Sequence, residues 1–157
     1  SVVSIQEIIR KAADSALEGS NMNLHLNFAD TFSLKANELQ ISQVIKNIVC
    51  NALDFRNENG ELFISTEDII NEAESFIKIS IKDNGIGIPA ENLQKIFEPY
   101  FSTKPMSTSK GRGLGLSICY SIIKKHGGKI EVQSEINKGT TISIFLPAIQ
   151  KIQTSSN

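Results

Sequence analysis

Between Glu38 and Phe55 the apolar residues Ile41, Val44, Ile45, Ile48, Val49 and Ala52 recur at intervals of three and four, the mark of a helix with one buried face. The same segment carries a second stripe. At about 100° per residue, Asn47, Asn51 and Asp54 fall within roughly 60° of one another, away from the apolar side. Two carboxamides and a carboxylate on one rigid face suit either ordinary solvation or oxygen ligation of Mg²⁺, which takes few protein oxygens and shares the rest with water and phosphate. An ordinary solvated face more often carries Glu and Lys, which favour helix more than Asn does.

Around this helix the period changes repeatedly. Residues 3–18 predict a first helix ended by Gly19, and Leu24, Leu26 and Phe28 alternate with polar residues as in a half-buried strand. Short strands are predicted over Phe32–Ala36 and Glu61–Thr66. Phe76–Lys82 alternates strictly and runs into Asp83-Asn84-Gly85, a turn signal. A helix near Glu91–Phe97 follows, then a stretch from Pro99 to Arg112 with little periodicity, then a helix from Leu116 to His126. Strands over Lys129–Ser134 and Thr140–Leu146 close the chain. Strand–helix–strand units do not repeat regularly, so the expected fold is α+β: a two-layer sandwich with a mixed sheet of about five strands and about three helices on one face. The domain is expected over residues 1–149, with 150–157 as a flexible tail.

Composition narrows the function classes. Sixteen basic and seventeen acidic residues leave a formal charge of −1, which argues against a nucleic-acid surface. No apolar run reaches the ~18 residues of a membrane span, so no membrane contact is expected of this segment. Cys50 and Cys119 are far apart, without metal-ligand spacing, which fits a reducing cytoplasm.

Two further segments bear chemistry. In Asp83-Asn84-Gly85-Ile86-Gly87-Ile88-Pro89 the aspartate either merely ends a strand at a turn or accepts a hydrogen bond from the exocyclic amine of adenine, where guanine would present a carbonyl. Gly111-Arg112-Gly113-Leu114-Gly115-Leu116-Ser117 opens a helix, as a hinge or as backbone N–H groups offered to phosphate. It does not meet the Rossmann pattern, and Walker and protein-kinase signatures are absent from the sequence.

Together these segments resemble the GHKL ATPases and, within them, sensor histidine kinases, over roughly residues 1 to 147. Asn47–Ala52 is similar to the N box, Asp83–Gly87 to the G1 box, Ile96–Lys104 to the F box and Gly111–Ser117 to the G2 box. The Phe-Ser-Thr-Lys-Pro wording at 101–105 most resembles kinases of the nitrogen-regulation type. The resemblance implies a Bergerat fold that binds ATP and Mg²⁺, with the metal on Asn51 and Asn47 near the phosphates. It implies Asp83 on the adenine amine, Gly85, Gly87 and Ile88 shaping that pocket, and Thr140 or Thr141 near the base. Residues from about Pro99 to Arg112 would form a lid, with Gly111, Gly113, Leu114, Gly115 and Leu116 at its hinge and Lys104 and Arg112 as γ-phosphate partners. Asp54 stands where many relatives carry Lys, with Arg56 as a compensating cation or Asp54 turned to water.

Hydrolytic relatives of the gyrase type place Glu where Asn47 stands. An amide is a poor general base, so transfer to a protein acceptor is favoured over attack by water. The implied acceptor is a histidine on an upstream dimerisation domain, with a response regulator further downstream. His25 and His126 lack the acceptor's acidic neighbour and following Pro. A hydrolytic ATPase, an anti-sigma-type serine kinase and a non-catalytic docking domain are the competing readings.

Overall fold

The computed structural model describes residues 1–93, 95–97 and 112–150, and of residues 112–115 the backbone alone. The order of elements is β1 (Val2–Val3), α1 (Ile5–Leu17), β2 (Asn23–Ala29), β3 (Leu34–Lys35), α2 (Glu38–Asp54), β4 (Glu61–Asn71), β5 (Glu74–Asp83), α3 (Ala90–Leu93), α4 (Arg112–Lys125), β6 (Lys129–Glu135) and β7 (Gly139–Pro147). The main sheet has the strand order β2-β4-β5-β7-β6. Its β2–β4 pair is parallel and the other pairs are antiparallel, so the sheet is mixed.

Alternation along the strands decides which face is covered. Leu62 and Ile64, then Ile77, Ile79 and Ile81, then Ile142, Ile144 and Leu146 are all buried on one side. They meet Ile8, Ile9 and Ala12 of α1, Val44, Ile45, Ile48 and Val49 of α2, and Cys119 and Ile123 of α4 in one core. Each such aliphatic side chain contributes roughly 1.5–3 kcal/mol by leaving water. Helix α2 is the middle helix, packed on α1 to one side and α4 to the other. The opposite face carries Phe63, Lys78, Lys82 and Phe145, with the Lys78 and Lys129 ammonium groups each 5.6 Å from the Phe145 ring centroid. This is the two-layer α+β sandwich that the periodicity predicts.

Several boundaries differ from the sequence reading. Helix α1 begins only at Ile5, because Ser4 caps it through an Oγ bond from the Glu7 N–H at 3.3 Å. Val2 and Val3 pair instead with Lys35 and Leu34. Strands β4 and β5 run well past the predicted ends, through the acidic stretch 67–74, where Asp68 accepts the N–H groups of Thr31 and Phe32. Helix α3 is a single turn rather than a helix to Phe97, and residues 95–97 continue as a turn that sends Ile96 into the interior. Helix α4 begins at Arg112, earlier than the predicted Leu116. At the other end Ile149 pairs with Ser33, Gln150 bonds Ser75 at 3.0 Å, and residues 151–157 lie outside the described residues. Among the described residues no helix is long and apolar enough to cross a membrane.

Candidate functional site

Helices α2 and α4 are antiparallel, and two contacts fix their register. The Asn37 N–H, at the start of α2, donates to Nε2 of His126 beyond the end of α4, at 3.1 Å. Seven residues along α2 and seven back along α4, Cys119 Sγ lies 3.7 Å from the Val44 carbonyl oxygen. Asn47 also hydrogen-bonds Cys119, whose thiol is pushed up to about 12, chiefly by burial. Carried another seven residues, the same register brings Asn51 level with Arg112, where α4 begins. Gly113 and Gly115 thus stand in the first turn of α4, whose N–H groups have no acceptor within the helix and favour an anion.

Asp83 reaches the same corner from the sheet. It ends β5 on the helix-covered side, continuing the row of Ile77, Ile79 and Ile81. Its Oδ1 accepts the N–H of Gly85 at 2.8 Å and of Thr140 at 3.3 Å. Burial raises the carboxyl pKa above its ordinary value, and the two backbone N–H bonds oppose that rise.

The loop after Asp83 is tied on three sides. The Ile86 N–H donates to the Phe55 carbonyl at the end of α2 at 3.1 Å. The Ile86 carbonyl accepts from Asn137 N–H at 2.8 Å, and Ile88 N–H donates to Ser134 Oγ at 2.7 Å. Gly85 must be glycine here, since a Cβ would lie 2.5 Å from the Phe55 carbonyl oxygen. Gly87 has φ +80 and a methyl there would collide with the Glu135 carbonyl. These two glycines permit protein backbone to close on the loop. Asn84 extends the network: its Oδ1 accepts from Glu61 N–H at 2.8 Å and its Nδ2 donates to the Asn59 carbonyl at 3.1 Å.

The loop after Asp83 thus meets the C-terminal end of α2 at Phe55 and packs Gly87 and Ile88 on β6, while the α2–α4 register sets Asn51 level with the start of α4. Asn47 and Asn51 are half-buried, whereas Asp54 is exposed. Arg56 donates to the Leu53 carbonyl at 2.5 Å, which caps the end of α2. Thr140 shares the face of Asp83; Thr141, one residue on, belongs to the outer face with Lys82 and Gln133. Leu116 packs against the core. Lys104 and Gly111 lie outside the described residues, as do the side chains of Arg112 and Leu114. Ser134 was not singled out in the sequence, where it reads only as the end of a strand; its part comes from the cross-strand row Asp83–Thr140–Ser134.

The family described as "Histidine kinase-, DNA gyrase B-, and HSP90-like ATPase" matches residues 36–150. Sensor kinase CckA of Brucella abortus is 40% identical over 146 residues, which cover 85% of this chain and 15% of that protein. Sporulation kinase C of Bacillus subtilis is 38% identical over 130 residues, 82% of this chain and 28% of that protein. Among solved structures, the catalytic domain of histidine kinase ThkA superposes with a TM-score of 0.78 at 32% identity, covering 94% of each chain. The chain thus spans less than a third of the length of these curated relatives. The chain belongs to the family of histidine kinase-, DNA gyrase B- and HSP90-like ATPases.

Proposed function

We propose that residues 1–149 are the ATP-binding catalytic domain of a sensor histidine kinase, which delivers the γ-phosphoryl group of ATP to a histidine on another domain of the parent protein. The observation that carries this reading is the convergence of three elements. The end of α2 holds the loop after Asp83 through the Phe55–Ile86 bond, and the α2–α4 register brings the glycine-rich start of α4 beside Asn51.

Each element has a role that follows from its chemistry. Asp83, ionised and with Oδ1 already taken by two N–H groups, turns its other oxygen to the exocyclic amine of adenine. The first-turn N–H groups of α4 receive phosphate oxygens. The carboxamide oxygen of Asn51 is a hard donor at a half-buried position, a fit for Mg²⁺ that keeps most of its ligands from water and phosphate. When bound, Mg²⁺ would neutralise charge on the phosphate oxygens. Asn47 sits at the α2–α4 seam against Cys119 and lacks a carboxylate to deprotonate water. A neutral imidazole needs no such base, so the domain's task is to hold the γ-phosphoryl in line with it. In the transfer the bond from the γ-phosphorus to the bridging oxygen breaks and one from phosphorus to imidazole nitrogen forms.

The names of CckA, sporulation kinase C and ThkA support a kinase over a hydrolytic ATPase. A dimerising acceptor domain, a response regulator as second partner and a cytoplasmic position for this domain belong to the same proposal. Membership of the nitrogen-regulation type rests on the Phe-Ser-Thr-Lys-Pro segment. The test is an ATP titration with and without Mg²⁺, followed by addition of an isolated acceptor hairpin. Binding followed by acid-labile phosphorylation of the hairpin is expected. Steady phosphate release without any acceptor would identify a hydrolytic ATPase instead.

A further inference from the structure

At the site end of the sheet, Asp83 of β5, Thr140 of β7 and Ser134 of β6 stand side by side in one cross-strand row. Ser134 Oγ has three partners: the Ile88 N–H at 2.7 Å, the Gly139 carbonyl oxygen at 3.0 Å and Thr140 Oγ1 at 2.7 Å. A hydroxyl has one proton and two lone pairs. The amide N–H donates, so it occupies one lone pair. The carbonyl oxygen accepts, so it takes the proton. All three contacts are satisfied together only when the Thr140 hydroxyl donates into the remaining lone pair. Thr140 Oγ1 then has no proton left for a ligand and acts there as an acceptor. Its neighbour Asp83, as a carboxylate, is also an acceptor.

We propose that Ser134, by fixing the direction of the Thr140 hydroxyl proton, makes Thr140 a second acceptor beside Asp83 and thereby tunes the site for a 6-amino purine over a 6-oxo purine. Ser134 is a positioning residue: it acts on the base through Thr140. The inference rests on the reading of Asp83 as the adenine contact. An amine carries two protons and satisfies two acceptors, directly or through one water. A 6-oxo group brings a third acceptor into a corner with no proton to share. If Thr140 were free to rotate, it would donate to that oxygen and relieve part of the penalty. The sequence offered no signal for this, since it depends on Gly139 and Ile88 reaching the same oxygen.

The test compares affinities for Mg-ATP and Mg-ITP, which differ at the 6-position (and in the proton it places on N1). Ser134→Ala is expected to narrow the ATP/ITP affinity ratio about five- to tenfold, the size of one hydrogen bond's contribution. Ser134→Thr, which keeps the hydroxyl, is expected to retain the wild-type ratio. Thr140→Val should narrow the ratio as well, and adding Ser134→Ala to it should change nothing further, because the serine acts only through the threonine. Equal weakening of both nucleotides by Ser134→Ala, with the ratio unmoved, would mean that Ser134 only braces the loop and would overturn the proposal. Asp83→Ala separates the two levels. If ATP affinity ignores that change, the adenine site itself is misplaced. If affinity depends on Asp83 while the Ser134→Ala ratio stays wild type, the orienting role of Ser134 alone is wrong.

Discussion

The corner around Asp83 and the seam between α2 and α4 are built in contrasting ways. Around Asp83 the contacts are largely backbone: Gly85 against Phe55, Gly87 against Glu135, and Gly139 against Asp83 itself, each too close for a side chain. Along the seam the helices meet through side chains, with His126 on Asn37 and Cys119 on Val44 and Asn47. Backbone contacts of this kind have no alternative rotamer, whereas a seam of side chains can shift and re-form. Under the proposed function, a rigid corner suits discrimination between bases, and an adjustable seam suits the phosphate end of the nucleotide.

The harshest way to probe this contrast is Gly139→Ala. Gly139 has φ +117, and a methyl there would overlap the Asp83 carbonyl oxygen. The change should cost more than about 3 kcal/mol and abolish ATP binding, as thermal denaturation and titration would reveal. Gly19→Ala is the matched control: its φ is +79 but a Cβ would meet nothing within 4 Å, so only about 1 kcal/mol should be lost. Similar losses at the two positions would erase the distinction.

Asp83→Asn should separate binding from stability. The folded carboxyl titrates above its ordinary 3.8 because it is buried. Between the unfolded and folded values the native state holds more protons, so stability falls as pH rises through that window. Ionised Asp83 therefore costs stability at neutral pH, and the amide should melt at an equal or higher temperature. ATP affinity should nevertheless drop about tenfold or more, since a charge-assisted bond is lost. In the wild type, affinity should decline on acidification at a higher pH than an ordinary aspartate would give. A variant that melts earlier and binds ATP normally would reverse the assignment.

At the seam, effects should be smaller. His126 Nδ1 donates to the Ile122 carbonyl at 2.8 Å, so Nε2 is the unprotonated nitrogen that accepts from Asn37. His126→Phe should cost about 0.5–1.5 kcal/mol in urea unfolding, and His126→Gln should recover part of it by restoring an acceptor. The slightest perturbation is chemical. With its thiol held near 12, Cys119 should resist alkylation at pH 8 until the domain unfolds. Rapid labelling in the native state would show that the seam opens on its own.

The elements with clean periodicity were legible before the structure. Helix α2 and strand β5 carry unbroken apolar patterns, and Asp83 followed by Asn-Gly marks a strand end. What was hidden depends on partners remote in sequence. Val3 fits the helical pattern of residues 3–18, but Val2 and Val3 pair with Lys35 and Leu34 in a ladder. The predicted strand stops at Thr66, yet Glu67–Asn71 pair with Glu74–Lys78, and tertiary pairing outweighs propensity. The sequence admits Thr140 or Thr141 as the base contact; the alternation of Ile142, Ile144 and Leu146 puts Thr140 on the side of Asp83. Ser134 had no local signature, because its three bonds come from strand β7 and from the loop at Ile88.

The most direct measurement is a nuclear magnetic resonance titration with Mg-ATP that follows the amide signals of Gly85 and Thr140, the side-chain amide of Asn51 and the backbone of Leu116. If one nucleotide spans the Asp83 corner and the α2–α4 seam, all four signals should move together along a single binding curve. Shifts confined to one end, or separate curves for the two ends, would contradict a shared site.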